Sequence, residues 1–438
     1  MLPMSASHKE ILKLAIPNIV SNISIPLLST VDTILMGQLS ALHLGAIGLG
    51  GMIFNFVYWN FGFLRMGTTG LTAQAYGAQD DCKLGVTLVR GMLLALLLAI
   101  IIFITQEWLL EVATWFFAVQ DTHAPLITEY FTMRMWAAPA TMLMYVFMGW
   151  FFGLQNAIYP MIITIIINIV NIILSYLLVY EYGMEIRGVA LGTVIAQYTG
   201  VLLCFVAVAY KYSRYIHLEL IRAVSKISEL VDFFKVNSNL FIRTVCLTFV
   251  FAYFYRESSI AGALALASNA ILLQFVNWMS YGIDGFAYAA ESMVGKYAGA
   301  KDDSNLIRSV KLSFLWGLIL AVLYAAFYYI FYDQLLHLFS SDNDVFAFAL
   351  QYKSWMVFFP IIAFVCYIWD GIFIGLLAIR EMRDSMIVAL IVFLSLYHLV
   401  ETADPLQGLW LAMFSFLIVR GLLLTLYWKN VTVRKSLI

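Results

Sequence analysis

The sequence predicts an all-helical integral membrane protein with twelve spans in two six-helix halves. Three observations predict it. Hydrophobic residues make up 63% of the 438 and charged residues only 12%, with a mean hydropathy of +0.89. That is about half the charge of an ordinary soluble domain. Apolar runs recur along the chain, each near or above the ~20 residues a helix needs to cross the hydrocarbon core. The second half of the chain also repeats motifs of the first at a fixed spacing.

The apolar runs lie at 11–37, 43–78, 85–113, 123–153, 158–180, 186–211, 229–254, 260–298, 304–332, 344–376, 384–400 and 406–428. The second, eighth and tenth are too long for a perpendicular crossing, so they should tilt, bend or project. The first run continues past Ile25 with no small-residue cleavage site, so no cleaved signal peptide is expected. The one long polar connection runs from Lys211 to Lys226. It divides the chain into an N-terminal lobe (1–210), a cytoplasmic linker (211–226) and a C-terminal lobe (227–438).

Loop charges set an orientation. One side collects Lys9, Lys83, Lys211, Arg214, Arg222, Lys226, Lys296, Lys301, Arg308, Arg380, Arg383, Lys429, Arg434 and Lys435; the other has Arg187 and Arg256. By the positive-inside rule both termini are expected on the cytoplasmic side of a plasma membrane. The net charge of −1 leaves no polybasic surface and hence no nucleic-acid partner. Cys82, Cys204, Cys246 and Cys366 are far apart and read as small apolar residues rather than as a disulfide frame or a zinc site.

The repeat is colinear. Thr72-Ala-Gln-Ala-Tyr-Gly77-Ala-Gln-Asp80 matches Val294-Gly-Lys-Tyr-Ala-Gly299-Ala-Lys-Asp302, 222 residues on. At the same spacing Asn55 pairs with Asn277, Tyr130 with Tyr352, Gly149 with Gly371 and Gly153 with Gly375; Pro139 and Pro360 agree within one residue. An even number of spans per half makes the repeats parallel, which is a transporter architecture. No P-loop, nucleophile elbow, metal box or histidine cluster is evident. The reading is therefore not an enzyme and not directly ATP-driven, but a secondary transporter coupled to an ion gradient.

Asp32 is the one acidic residue between Ile11 and Gln79. A carboxylate at that depth costs roughly 2.5–3.5 kcal/mol on insertion scales, and survives by facing water, pairing or carrying a proton. Asn171 and Ser175 lie one turn apart on a face of helix 5, with Thr193 in helix 6 and Tyr130 in helix 4 at similar estimated depth. Pro26, six residues before Asp32, lacks an N–H and marks a bend point in helix 1.

Several segments resemble the multidrug and toxic compound extrusion (MATE) family, in its DinF-like branch. They are Pro26-x5-Asp32-Thr33, Phe61-Gly-Phe-Leu-Arg-Met-Gly-Thr-Thr-Gly-Leu-Thr-Ala-Gln74, Gly149-Trp-Phe-Phe-Gly-Leu-Gln155, Asp284-Gly-Phe-Ala-Tyr-Ala-Ala-Glu291 and Asp370-Gly-Ile-Phe-Ile-Gly375. The resemblance spans the whole chain. It implies a MATE-like fold and antiport of cationic or amphiphilic compounds against H+ or Na+. It further implies a cation-coupling set of Asp32, Asn171, Ser175, Thr193 and Tyr130, with Asp32, Asn171 and Thr193 as the candidate ligands for Na+. Ser175 stands where the branch commonly has a second Asp, so the N-terminal lobe has one carboxylate fewer than the pattern.

In the C-terminal lobe Asp284, Glu291 and Asp370 are the polar candidates. Arg65 and Glu291 read as side chains that snorkel to the interface. Tyr58, Trp59, Trp278, Met279 and Tyr281 are candidates for lining a cation-binding cavity. The alternative to drug antiport is a flippase for lipid-linked precursors, which wants a cationic cavity; few arginines or lysines are expected inside the spans. Small molecules and membrane lipid are the expected partners, no cofactor is expected beyond the coupling ion, and the working unit is expected to be a monomer.

Overall fold

The computed structural model describes residues 6–117, 119–216, 227–339, 343–399 and 405–436. Arg222 and Lys226 of the expected linker fall outside the described residues, as do the side chains of Arg434 and Lys435. The described residues form helices and no strand: α1 (His8–Gly37), α2 (Ala41–Trp59), α3 (Phe63–Gly77), α4 (Asp81–Ile104), α5 (Gln106–Phe116), α6 (Ala124–Met135), α7 (Ala138–Gly153), α8 (Ile158–Tyr176), α9 (Glu185–Lys211), α10 (Ile227–Ile260), α11 (Ala263–Gly299), α12 (Asp303–Phe339), α13 (Asn343–Leu350), α14 (Lys353–Gly375), α15 (Ile379–Leu399) and α16 (Pro405–Ser436). Among the described residues, eleven stretches are long and apolar enough to cross a membrane; α6 with α7, bent by 53° at their junction, makes the twelfth.

The long spans solve their length in different ways. The second is α2 and α3 joined by one 3-10 turn at Asn60–Gly62, where Asn and Gly are weak helix formers. The eighth is a single 37-residue helix, α11. At 1.5 Å per residue that is about 55 Å, longer than the ~40–45 Å of a whole bilayer with its headgroups. The tenth divides into α13 and α14, with Tyr352 as the N-cap of α14. In the fourth span Pro139 sits at the start of α7, where a missing N–H costs no helical hydrogen bond. Its counterpart Pro360 is buried inside α14. The two halves thus break the corresponding span at different points.

Elsewhere the repeat holds down to the backbone. Gln79 and Lys301 adopt left-handed φ of 56° and 55°, and Gln155 and Leu377 adopt 62° and 54°. Each residue ends a helix, and the next N–H in each case reaches back five residues: Asp80 to Ala75, Asn156 to Phe151, Asp302 to Tyr297 and Ala378 to Phe373. This is the Schellman closure, made four times without the usual glycine. Asp80 and Asp302 then cap the following helices by accepting from the backbone N–H of Lys83 and Asn305.

The paired glycines set the closest helix contacts. A Cβ added at Gly149 would lie 2.4 Å from the Arg65 carbonyl oxygen, and one at Gly371 would lie 2.1 Å from the Ala287 carbonyl oxygen. Gly153 meets Thr72 and Ala73, as Gly375 meets Glu291 and Gly295. Close approach of α7 to α3, and of α14 to α11, therefore requires glycine at both positions. The neighbour pairs repeat as well: α3–α4 with α11–α12, α4–α7 with α12–α14, and α8–α9 with α15–α16.

By internal contacts the chain forms two compact units, Met1–Ile19 with Lys235–Ile438, and Val20–Phe234. The division read from the sequence places all of α1 in the first half. Its first part groups instead with the C-terminal helices, for identifiable reasons. Glu10 pairs with Lys296 at 2.7 Å and accepts from Tyr297 Oη at 2.9 Å. Ala6 N–H donates to Asn305 Oδ1 at 2.9 Å, and Ala15 and Ile19 pack on Gly285.

Candidate functional site

In the unit Val20–Phe234, α1 runs unbroken through Pro26. The Pro26 carbonyl accepts from Ser29 Oγ and Thr30 Oγ1, both at 2.9 Å, and Thr33 Oγ1 donates to the Ser29 carbonyl at 2.8 Å. Hydroxyls bonded back to backbone carbonyls weaken and bend a helix, and here they cluster just before Asp32. One turn below Asn171, Asn168 Nδ2 donates to Ser24 Oγ at 2.9 Å and ties α8 to α1. Beyond that tie a cleft of about 270 Å³ separates the two helices, lined by Val31, Leu35, Ile172, Ile173, Tyr176 and Leu177.

Asn171, Ser175 and Thr193 form one buried chain. Asn171 Nδ2 donates to Thr193 Oγ1 at 2.7 Å, Thr193 Oγ1 donates to the Val189 carbonyl at 3.0 Å, and Ser175 Oγ donates to Asn171 Oδ1 at 3.5 Å. Gly192 permits it: a Cβ there would lie 2.8 Å from Ser175 Oγ, so α9 can press Thr193 against α8.

Asp32 does not join this chain by a hydrogen bond. Its Oδ1 is buried and meets no hydrogen-bond partner among the described residues. Its electrostatic partner is Arg134 of α6, which also acts on Tyr130. Arg134 stacks over Phe54 at 4.3 Å and lies 5.9 Å from the centre of the Tyr130 ring; its Nε has no hydrogen-bond partner among the described residues. Tyr130 is buried with its ring against Gly50, where a Cβ would lie 2.8 Å away. The sequence reading brought Tyr130 to Asp32 but missed Arg134. The signal was available: an arginine one turn after Tyr130, inside an apolar span.

The C-terminal candidates separate. Asp370 is the hub of a buried ion cluster: its Oδ2 accepts from both Arg243 of α10 and Arg420 of α16. Asp284 acts electrostatically on Tyr281 and Tyr367. Glu291 does not snorkel; it is fully buried, and Arg65 is buried too, on helices whose backbones at these residues touch Gly375 of α14 and Gly149 of α7. The expectation of few intramembrane cations is also corrected. Arg65, Arg90, Arg243 and Arg420 are buried within spans, and Arg134 is half-buried. Of the cavity-lining candidates, Tyr58 and Met279 are core residues; Tyr58 stacks on Phe54 with ring centres 4.1 Å apart. Among the described residues no group of three or more His, Cys, Asp or Glu is placed to hold a metal.

Twelve apolar spans, a duplicated six-helix half and intramembrane charge held in buried polar clusters define a membrane transporter. The chain belongs to the MatE family: the family model matches twice, over residues 17–177 and 241–400, once in each half. It is 33% identical over 430 residues to DNA damage-inducible protein F of Escherichia coli, covering 98% of this chain and 93% of that protein. It is 24% identical to the probable multidrug resistance protein NorM of Idiomarina loihiensis, covering 97% and 94%. Its fold is similar to the Vibrio cholerae MATE transporter VcmN in its bent form, with a TM-score of 0.85, 19% identity and 98% of each chain covered. The protein is an integral membrane transporter of the multidrug efflux family.

Proposed function

We propose that this chain exports cationic or amphiphilic organic compounds in exchange for protons, by alternating access, with Asp32 as the coupling carboxylate. The observation that carries the proposal is Asp32 Oδ1, buried without a hydrogen-bond partner among the described residues, with Arg134 acting on the carboxylate electrostatically. A proton neutralises such a carboxylate by forming an O–H bond and needs no coordination shell. A sodium ion needs several oxygen ligands, and the Asn171–Thr193 pair is already engaged with itself. The Arg134 guanidinium also repels a second cation at the same carboxylate. With Ser175 unable to ionise, one charge titrates at this site.

The loop charges favour cytoplasmic termini in a bacterial inner membrane. Both halves of the repeat lie within one chain, which favours a monomer as the working unit and needs no cofactor beyond the coupling ion. Export is favoured over lipid-precursor flipping by the relatives, not by a shortage of intramembrane arginines.

Reconstitution into proteoliposomes tests the coupling ion. A fluorescent organic cation should be moved when an H+ gradient alone is imposed, and should not be moved by a Na+ gradient alone at fixed membrane potential. Transport driven only by Na+ would overturn the proton assignment.

A further inference from the structure

We propose that Arg134 sets how tightly the unit Val20–Phe234 holds an organic cation. Its fixed positive charge weakens cation binding by about the same factor whether Asp32 is charged or neutral, and Asp32 alone carries the exchange with the proton. The proposal rests on the export reading only in placing the bound cation within the field of Asp32. Arg134 stands in the last turn of α6, where the free carbonyls of a helix end favour a cation. Its guanidinium lies over the Phe54 ring; Phe54 is itself stacked on Tyr58 and set edge-on to Phe131, with ring centres 6.3 Å apart. This aromatic floor holds the charge in place without using its N–H donors.

Arginine donors buried in a protein nearly always find acceptors. Arg243 and Arg420 both donate to Asp370, and Arg383 donates to Asn239 and Asp384. Arg134 differs: among the described residues it makes no hydrogen bond or ion pair, and its Nε is buried without an acceptor. Its field nevertheless reaches Asp32, Tyr130 and Tyr58. Asp32 and Arg134 therefore stand in one site as opposite charges that are not paired. With Asp32 ionised the two sum to zero, and with Asp32 protonated they sum to +1. A fixed charge shifts the cation affinity of both forms equally, so it cancels from the coupling between proton and cation. What it changes is the absolute affinity. Binding energy must then come from the apolar body of the substrate, which selects bulky amphiphilic cations over compact ones.

The test measures binding to purified protein in detergent with no gradient, so a failure of H+-driven transport leaves it standing. The probes are tetraphenylphosphonium and triphenylphosphine oxide, which share an aryl body and differ by one charge. Arg134→Gln should bind the cation about tenfold more tightly than the wild type, the effect of a unit charge across about 12 Å at an effective dielectric of about 20. Affinity for the neutral oxide should not change. The same gain should appear when Arg134→Gln is combined with Asp32→Asn, which mimics the protonated carboxyl. Arg134→Lys, which keeps the charge, should stay near the wild type. Arg134→Met, also uncharged, carries the test if the glutamine variant does not fold. Equal cation affinity in the wild type and folded Arg134→Gln would overturn the proposal. So would a gain shared by the neutral oxide, a gain lost in the Asp32→Asn background, or an absence of cation binding in both proteins.

Discussion

Asp32→Asn should abolish gradient-driven efflux while leaving the protein folded and in the membrane. Asparagine keeps the shape of the side chain and removes its ability to take and release a proton. Folding should survive, because Asp32 Oδ1 has no hydrogen bond to lose among the described residues. A neutral amide is also less costly than a carboxylate at that depth. Accumulation of a fluorescent cation in cells should rise to the level of cells lacking the transporter, at equal membrane abundance by immunoblot. Full efflux in that variant would remove Asp32 from the mechanism.

The largest expected effect on stability is at Asp370. Asp370→Ala would leave Arg243 and Arg420 buried with their shared acceptor gone, and breaking a buried pair by removing one partner costs about 3–5 kcal/mol. Thermal unfolding in detergent should show a large drop in midpoint and in folded yield. Replacing all three members together by apolar residues of similar volume should restore most of it, since such replacements are often neutral. A triple replacement as unstable as Asp370→Ala would mean that the cluster holds α10, α14 and α16 by more than charge balance.

The spans were legible because hydrophobicity and length alone decide what crosses a bilayer. The duplication was legible in Gly149, Gly153, Gly371 and Gly375 because only glycine fits where one backbone meets another, so the helix contact is written in the residue itself. Asn171 and Ser175 were legible from helical spacing and Thr193 from its estimated depth, and the three side chains do converge. The arginines were not read. Arg134, Arg243 and Arg420 each lie inside an apolar run, and a cation in a span says nothing of its partner until the helices are packed. Asp370 was singled out as a polar candidate without its two arginines, which lie 127 residues before it and 50 after it. The grouping of Met1–Ile19 with the C-terminal unit was hidden for the same reason, since Glu10 gives no sign in the sequence of Lys296 or Tyr297.

The account's central claim is that a single carboxylate, Asp32, exchanges its proton for substrate. Proton release on substrate binding tests it most directly. Purified protein in weakly buffered detergent solution, mixed with saturating organic cation, should release no more than one proton per substrate bound. The pH dependence of that release should fit a single titration step rather than the two of a coupled carboxylate pair. Asp32→Asn should bind the cation and release none. Release from Asp32→Asn equal to that of the wild type, or a wild type that releases two protons in two steps, would contradict it.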